Sequence, residues 1–408
     1  MEVAVIGGGA AGFFAAVTIA EGLPSARVSI LERGSSVLQK VKISGGGRCN
    51  VTHACFDPKA LTAFYPRGHR ELTGPFSRFG PAETRDWFAA RGVLLKTEPD
   101  GRMFPVSDQS QTIIDCLLQS ARNAGISIRT GMRLTALRQL PDGRWSITSN
   151  GMPDTVADRV VVATGSNENI WKILADLGHT IVPPAPSLFT FNTKDVRLRQ
   201  LAGISIPHAK LDIIGEKIQS EGPLLITHWG LSGPAALKLS AWGARVLQDR
   251  QYKCTLRVQW AGAHTPEEIG QQLAAARLEA AKKQILTTPQ AGLPLRLWHH
   301  LCAAAHIAPG LRWADINNTT LKALTLQLTQ CELAISGKSA FKEEFVTAGG
   351  VDLKEINFKT FESRLFKGLY FAGEVLNVDA VTGGFNFQAA WTGGWIAGQS
   401  ITADAMQE

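Results

Sequence analysis

The sequence predicts an α/β fold built on a mostly parallel sheet and interrupted by a β-rich insertion. Three observations point there. An apolar strand at the N-terminus runs into a glycine-rich turn and a helix-like stretch. A second glycine-rich strand–helix unit closes the chain. Between them the pattern changes to short alternating strands and then to an amphipathic helix. A length of 408 residues exceeds one ordinary core, so two or three domains are expected.

The first element is the most informative. Val3, Val5 and Ile6 form a short, nearly continuous apolar strand, as in a buried parallel sheet. Gly7, Gly9 and Gly12 then fit G-x-G-x-x-G, with Ala10 and Ala11 inside the motif. A helix-like run from Phe13 to Glu21 follows, and "RVSILE" gives a second strand ending at Glu32. Gly7 allows the tight turn, Gly9 lets a pyrophosphate approach the backbone, and Gly12 permits helix to pack on strand. The amides at the helix start then meet phosphates. Glu32 stands twenty residues past Gly12, where a carboxylate accepts hydrogen bonds from a ribose. Its charge argues against a 2′-phosphorylated nucleotide. Strand, turn, helix and acid together predict a Rossmann-like dinucleotide site.

The next stretch, "RGSSVLQKVKISGGGRCNVTH", reads as a loop past the ribose carboxylate, near the carboxyl ends of the strands. Arg33, Lys40 and Ser44 belong to it. A run of glycine costs backbone entropy, so Gly45, Gly46 and Gly47 are expected where the backbone closely approaches the ligand. Arg48 is expected to neutralise phosphate or face the ligand's ring, and Asn50 offers a donor and an acceptor. Cys49 beside Arg48 has the setting of an activated thiol, but without a partner cysteine a plain loop cysteine is expected.

In the middle of the chain, "PDGR" at 99–102 and again at 141–144 marks two hairpin turns. Leu134 lies at the start of the second hairpin, "RLTALRQLPDGRWSITSN". "RVVVATGS" is a buried strand, with Thr164 and Gly165 in the turn that ends it. From about residue 189 short strands alternate with turns, and residues 265–322 are expected to be helical. Thr265, Pro266 and Glu268 give a capped helix start. The segment "CELAIS" returns as a strand. In the last element, Leu369 to Ala372 is a strand, Gly373 and Glu374 follow, and Gly383 and Gly384 precede a helix-like run from Phe387 to Ser400. A positively polarised helix start suits a ring that gains negative charge, with Gly383, Gly384, Phe385 and Asn386 as contacts.

"GGGAAG", "LERG", "KVKISGGGRCNVTH", "GRMFPVSDQS", "VVVATGS", "LGHTIVPPAPSLF", "THWGLSGPAAL" and "GLYFAGEVLNVDAVTGGFNFQAAWTGGWIAG" occur in this order over nearly the whole chain. The sequence resembles the BaiN-like and aminoacetone-oxidase-like FAD flavoproteins. The resemblance implies FAD as cofactor, Gly373 and Glu374 near its ribityl and pyrophosphate linkage, and the Gly165 turn over it. It implies an FAD-binding domain of glutathione-reductase type over 1–188 and 342–408. Inserted are a β-rich, barrel-like domain over 189–264 with its return strand in 323–341, and a helical subdomain over 265–322. Ser166 stands where the family often has a second glycine, and the stretch "NENIWKILAD" is shorter than usual.

Composition sets further bounds. Hydrophobic residues make up 45% and charged residues 19%, a globular balance, and the net charge of +7 is not concentrated in any block. Nucleic acid is therefore not the expected partner. No apolar run reaches the ~18 residues of a membrane helix. The six cysteines form no CxxC pair, and His299, His300 and His306 have no matching ligand cluster, so no metal is expected. A reduced, cytoplasmic protein fits this usage. "GLSGP" lacks the strand–elbow–helix order of a serine nucleophile.

The candidates for chemistry are His228, an imidazole that either moves a proton near neutrality or holds its turn, and Arg102, which either faces the cofactor cleft or sits on the surface of its hairpin. Trp229 either stacks on substrate or packs. The expected activity is hydride transfer between FAD and a small organic molecule. The resemblance includes both amine oxidation and reduction of conjugated double bonds. With no second dinucleotide fingerprint, NAD(P)H is expected only as a transient electron donor. The alternatives are an RNA-modifying flavoprotein and a non-enzymatic flavin-binding redox module.

Overall fold

The apolar runs at Val3–Ile6, Val28–Leu31 and Val160–Val162 become the centre of a seven-stranded sheet because nearly every side chain in them is buried. The computed structural model describes residues 1–262, 264–339 and 346–407. The chain divides into two units, residues 1–185 with 346–408, and residues 186–345. The return expected at 341/342 lies outside the described residues.

In the first unit the strand order is Ile356–Asn357, Glu362–Ser363, Leu369–Phe371, Arg159–Val162, Glu2–Ile6, Arg27–Leu31, Ser127–Arg129. The last five run parallel. Ile6 stands opposite both Leu31 and Val162, so the carboxyl ends finish level, at the edge where such sheets bind ligands. Helix Ala10–Gly22 leaves the first strand through the glycine turn. Its residues Ala11 to Ala20 are all buried, because the C-terminal helix Phe385–Ala405 packs along it. Small residues allow that approach. A Cβ at Gly394 would come 2.4 Å from the Ala11 carbonyl oxygen, and one at Gly398 would come 2.7 Å from Thr18 Cβ. Phe14 fills the space beside them with Trp87 and Trp391, ring centroids 4.4 and 4.6 Å away.

Both Asp-Gly turns form hairpins. Gly143 (φ +84°) turns the chain between Leu134–Gln139 and Trp145–Ser149, and Gly101 (φ +86°) does so between Leu95–Thr97 and Arg102–Pro105. Two paired segments, Ile181–Ser187 and Val346–Val351, stand where the chain leaves this unit and re-enters it. Just outside them, buried His179 donates from Nδ1 to the Glu355 carboxylate (2.8 Å), and its Nε2 lies 3.2 Å from the Ser363 hydroxyl. Burial lowers the His179 pKa.

The second unit holds seven strands in the order Cys331–Ile335, Cys254–Gln259, Ser205–Ile213, Gln219–Ile226, Gly230–Ser232, Thr190–Asn192, Gly337–Ser339. The two outermost strands are joined by Ser336 alone, so the sheet must curl until its edges meet. This is the barrel-like insertion that the sequence predicts. Its apolar residues form one core with helices Pro266–Glu279, Leu295–Ala304 and Asn318–Thr329. The Thr265–Glu268 capping box is formed, at 3.2 and 2.8 Å. The third helix runs to Thr329 and occupies residues assigned to the return strand. Asn317 caps it, and Leu324 and Leu328, four residues apart, bury fully against the core. The strand begins only at Cys331.

Candidate functional site

The first glycine turn is crowded from behind and open in front. Gly7 has φ +111°, and a Cβ on it would lie 2.4 Å from the Ala163 carbonyl oxygen. A Cβ on Gly12 would lie 2.0 Å from the Gly7 carbonyl oxygen, whereas one on Gly9 would meet nothing within 4 Å. The helix that starts at Ala10 has no side-chain cap and no acid in its first turn, so its leading amides keep their positive end unanswered. Glu32 braces this turn. Its two carboxylate oxygens accept from the N–H groups of Gly8 (2.8 Å) and Gly34 (2.7 Å).

The second glycine run is not a simple loop. Residues from Gln39 form a helical turn that breaks at Ser44 (ψ 148°). Gly45, Gly46 and Gly47 then all adopt positive φ, at +58°, +68° and +86°. Side chains at Gly46 and Gly47 would meet nothing within 4 Å, while a Cβ at Gly45 would lie 3.1 Å from the Phe104 ring. Arg48 stacks on that same ring, 3.9 Å from its centroid. Its guanidinium also donates to Glu98 (2.7 Å) and Asp108 (3.3 Å), and those bonds raise its pKa. The fork expected to meet phosphate or a ring is thus committed to two carboxylates. Cys49 is fully buried, and burial pushes its thiol up to about 12 despite the neighbouring arginine, so it is no activated thiolate.

The two ends of the chain meet here. Lys40 Nζ donates to Glu374 (2.7 Å), and both groups lie beside Gly165 (φ +63°), where a Cβ would be 3.7 Å from Lys40 Nζ and 3.8 Å from Glu374 Oε2. Gly373 (φ +76°) faces Ala11, so a Cβ would approach to 3.2 Å. Ala11, Ala163, Ala372 and Ala390 form one small-residue cluster at this point. With its amide oriented to satisfy both ends, Asn50 accepts from the Gly384 N–H (2.9 Å) and donates to the Thr52 carbonyl (3.0 Å). Gly384 (φ +87°) begins the C-terminal helix, again without a side-chain cap or a first-turn acid. Asn386 is taken up by both backbone groups of Ala380, at 2.9 and 3.1 Å. A Cβ on Gly383 would strike the Phe385 ring at 2.4 Å, and that ring stacks on Phe64 (4.2 Å) and His53 (4.7 Å).

The other expected residues differ in how near they lie to this convergence, and Arg102 shares Glu98 with Arg48. Arg102 pairs with Asp100 (2.7 Å) and Glu98 (3.0 Å) on the hairpin. Arg33 is exposed. Leu134 is buried in its hairpin, two residues past Met132, whose N–H donates to the Glu32 carbonyl (2.8 Å). Thr164 precedes Gly165 in the turn beside Gly7. His228 lies in the second unit, exposed on a tight turn.

The residues present fit a dinucleotide cofactor. Gly9, Gly46 and Gly47 leave space that any side chain would enter, and two uncapped helix starts offer positive ends to anionic groups. The sequence reading missed what holds this arrangement. Gln388 accepts from Thr52 (2.5 Å) and Thr84 (3.0 Å), and Thr392 donates to the Phe79 carbonyl (2.7 Å), all in the interior. A glutamine inside the apolar run "FNFQAAW" was the one available signal. Glu98 and Asp108, the partners of Arg48, carried none.

The chain is similar to known proteins along nearly its whole length. The family described as "HI0933-like protein Rossmann domain" matches residues 1–400. A 3-dehydro-bile acid delta(4,6)-reductase of Clostridium scindens is 29% identical, over 98% of each chain. A ribosomal RNA dihydrouridine synthase of Escherichia coli is 28% identical, over 98% of this chain and 97% of that one. Among solved structures, a 3-ketosteroid-delta4-(5alpha)-dehydrogenase from Rhodococcus jostii RHA1 superposes with a TM-score of 0.54 at 16% identity, covering 98% of this chain and 97% of that one. At that identity the likeness is one of fold.

Proposed function

The chain belongs to the HI0933-like family of FAD-dependent oxidoreductases, and we propose that it reduces a conjugated carbon–carbon double bond in a small planar substrate, with NAD(P)H as transient electron donor. The observation that carries this reading is the pair of glycine-led, uncapped helix starts drawn from opposite ends of the chain. Bound FAD supplies two-electron hydride chemistry. Gly9 and the helix start at Ala10 hold its pyrophosphate, Glu32 braces their turn, and Gly45–Gly47 admit it without side-chain bulk. The helix start at Gly384 offsets negative charge on the reduced cofactor. A proton drawn from water balances the hydride at the second carbon. Reduction is favoured over amine oxidation because a delta(4,6)-reductase and a dihydrouridine synthase both saturate a carbon–carbon double bond.

The test is the visible spectrum of the purified protein under anaerobic conditions. A yellow protein bleached by NADH or NADPH and recoloured by an α,β-unsaturated ketone supports the proposal. A yellow protein indifferent to both nucleotides overturns it in favour of an oxidase or dehydrogenase. A colourless protein that takes up no FAD removes the cofactor itself. A second reading places the double bond in a uracil of RNA. The relative from Escherichia coli supports it, aligned over almost all of the chain.

A further inference from the structure

The segment that leads into the C-terminal helix is fastened from one side. Arg67 and Asp379 face each other as an antiparallel bridge, and the Val381 N–H donates to the Phe64 carbonyl (3.0 Å). Gly68 (φ +87°) lies so close that a Cβ on it would come 2.8 Å from the Val378 side chain. Fully buried Tyr65 donates to the Phe385 carbonyl in the first helical turn (2.5 Å). Asn386, in that same turn, holds both backbone groups of Ala380, the neighbour of Asp379. Asp379 is thus tied to the helix start through its own chain and to Arg67 across the bridge.

The bridge carries charge in the interior. The Asp379 side chain is wholly buried and that of Arg67 is 14% exposed. Nε and Nη2 of the guanidinium donate to the two carboxylate oxygens, a two-point pair. Stability alone does not call for it, since an apolar pair of similar volume often serves as well. Its place does. Between Glu374 and Asp404, Asp379 is the only charged residue of the sequence. The helix start at Gly384 has no side-chain cap and no acid in its first turn. Away from water a charge is weakly screened. A carboxylate alone would oppose the positive helix end, and a guanidinium alone would add to it.

We propose that Arg67 and Asp379 are a positioning pair that sets the reduction potential of the bound flavin. Arg67 fastens the segment before the helix start, and Asp379 cancels the charge that the fastening brings. The helix end alone then acts on the reduced cofactor. This rests on the reading that the reduced cofactor lies at the Gly384 helix start, but not on what donates or accepts its hydride. The FAD-loaded full-length protein is reduced slowly by xanthine and xanthine oxidase beside a reference dye of known potential. Neither NAD(P)H nor substrate is needed. Asp379→Asn leaves a guanidinium, which keeps its charge in any protein site. It is expected to raise the ratio of reduced to oxidised flavin at a fixed potential about tenfold, or about 30 mV for two electrons. The double variant R67Q/D379N removes both charges and is expected to return to the parent potential, and Arg67→Lys to stay near it. A purely structural clamp would make D379N and R67Q/D379N shift alike, because both lose the two-point pair. Equal shifts in those two variants, or no rise in D379N, overturn the proposal. If D379N does not hold FAD, Arg67→Gln takes its place and is expected to lower the potential, and an unchanged or raised value overturns the proposal. A parent that takes up no FAD overturns the cofactor reading and this one with it. A yellow parent whose two variants move together overturns this one alone.

Discussion

The two glycine-rich turns of the nucleotide-binding unit need glycine for different reasons. In the first, the constraint is room. Side chains at Gly7 or Gly12 would run into backbone oxygens at 2.4 and 2.0 Å, and backbone cannot step aside. In the second, the constraint is conformation. Gly46 and Gly47 have empty space around them and are glycine because their φ is left-handed. The first turn is braced by its own backbone and Glu32. The second is held from one flank, where Phe104 contacts Gly45 and carries Arg48. Similar composition therefore hides one rigid element and one that depends on distant charges.

Substitutions sharpen that contrast. Gly12→Ala is expected to cost the most, about 3 kcal/mol or more, because a methyl group is forced into a carbonyl. Flavin content on purification and the thermal midpoint should both collapse, and a normal yield of yellow protein would refute the steric account. Glu32→Ala comes next. Releasing two amides from a carboxylate costs about 1.5–3 kcal/mol, and FAD retention on a desalting column should drop at least tenfold. Gly46→Ala meets no atom and carries only the left-handed penalty, about 1–2 kcal/mol. Gly46→Asn should recover part of it in the same melting experiment, since asparagine tolerates that region. Arg48→Lys keeps the charge but loses the flat fork on Phe104, a smaller loss of stability than any of these. Its melting temperature should depend more steeply on salt than that of the parent.

The smallest effect is a pH dependence. Burial lowers the folded pKa values of His53 and His179, so below about pH 6.5 the unfolded chain takes up protons that the folded imidazoles refuse. Stability should rise with pH through that window and fall toward pH 5. His53→Gln should shallow the slope, and an identical slope would contradict this assignment.

Much of the site was legible because close approach leaves glycine as its trace. Gly7 and Gly12 could be read from their spacing, Gly384 from the helix that follows it and Gly373 from the family resemblance, and each is sterically or conformationally constrained. Arg48 was not legible in the same way. Its partners Glu98 and Asp108 lie 50 and 60 residues away, and nothing local tells a committed guanidinium from one free for phosphate. The fold followed the same rule. The parallel strands announced themselves as apolar runs, but closure of the second sheet through Ser336 is a long-range event without a local pattern. The overrun of helix Asn318–Thr329 shows that apolar spacing, more than the segment's charge or turn residues, decides where the insertion's last helix ends.

The paired segments Ile181–Ser187 and Val346–Val351 carry one more consequence. Neighbouring strands lie only about 4.8 Å apart, so the outgoing and returning chains cross as a narrow stalk. A junction that narrow asks little of residues 186–345. They can be lengthened, trimmed or exchanged without stretching the parallel sheet of the first unit.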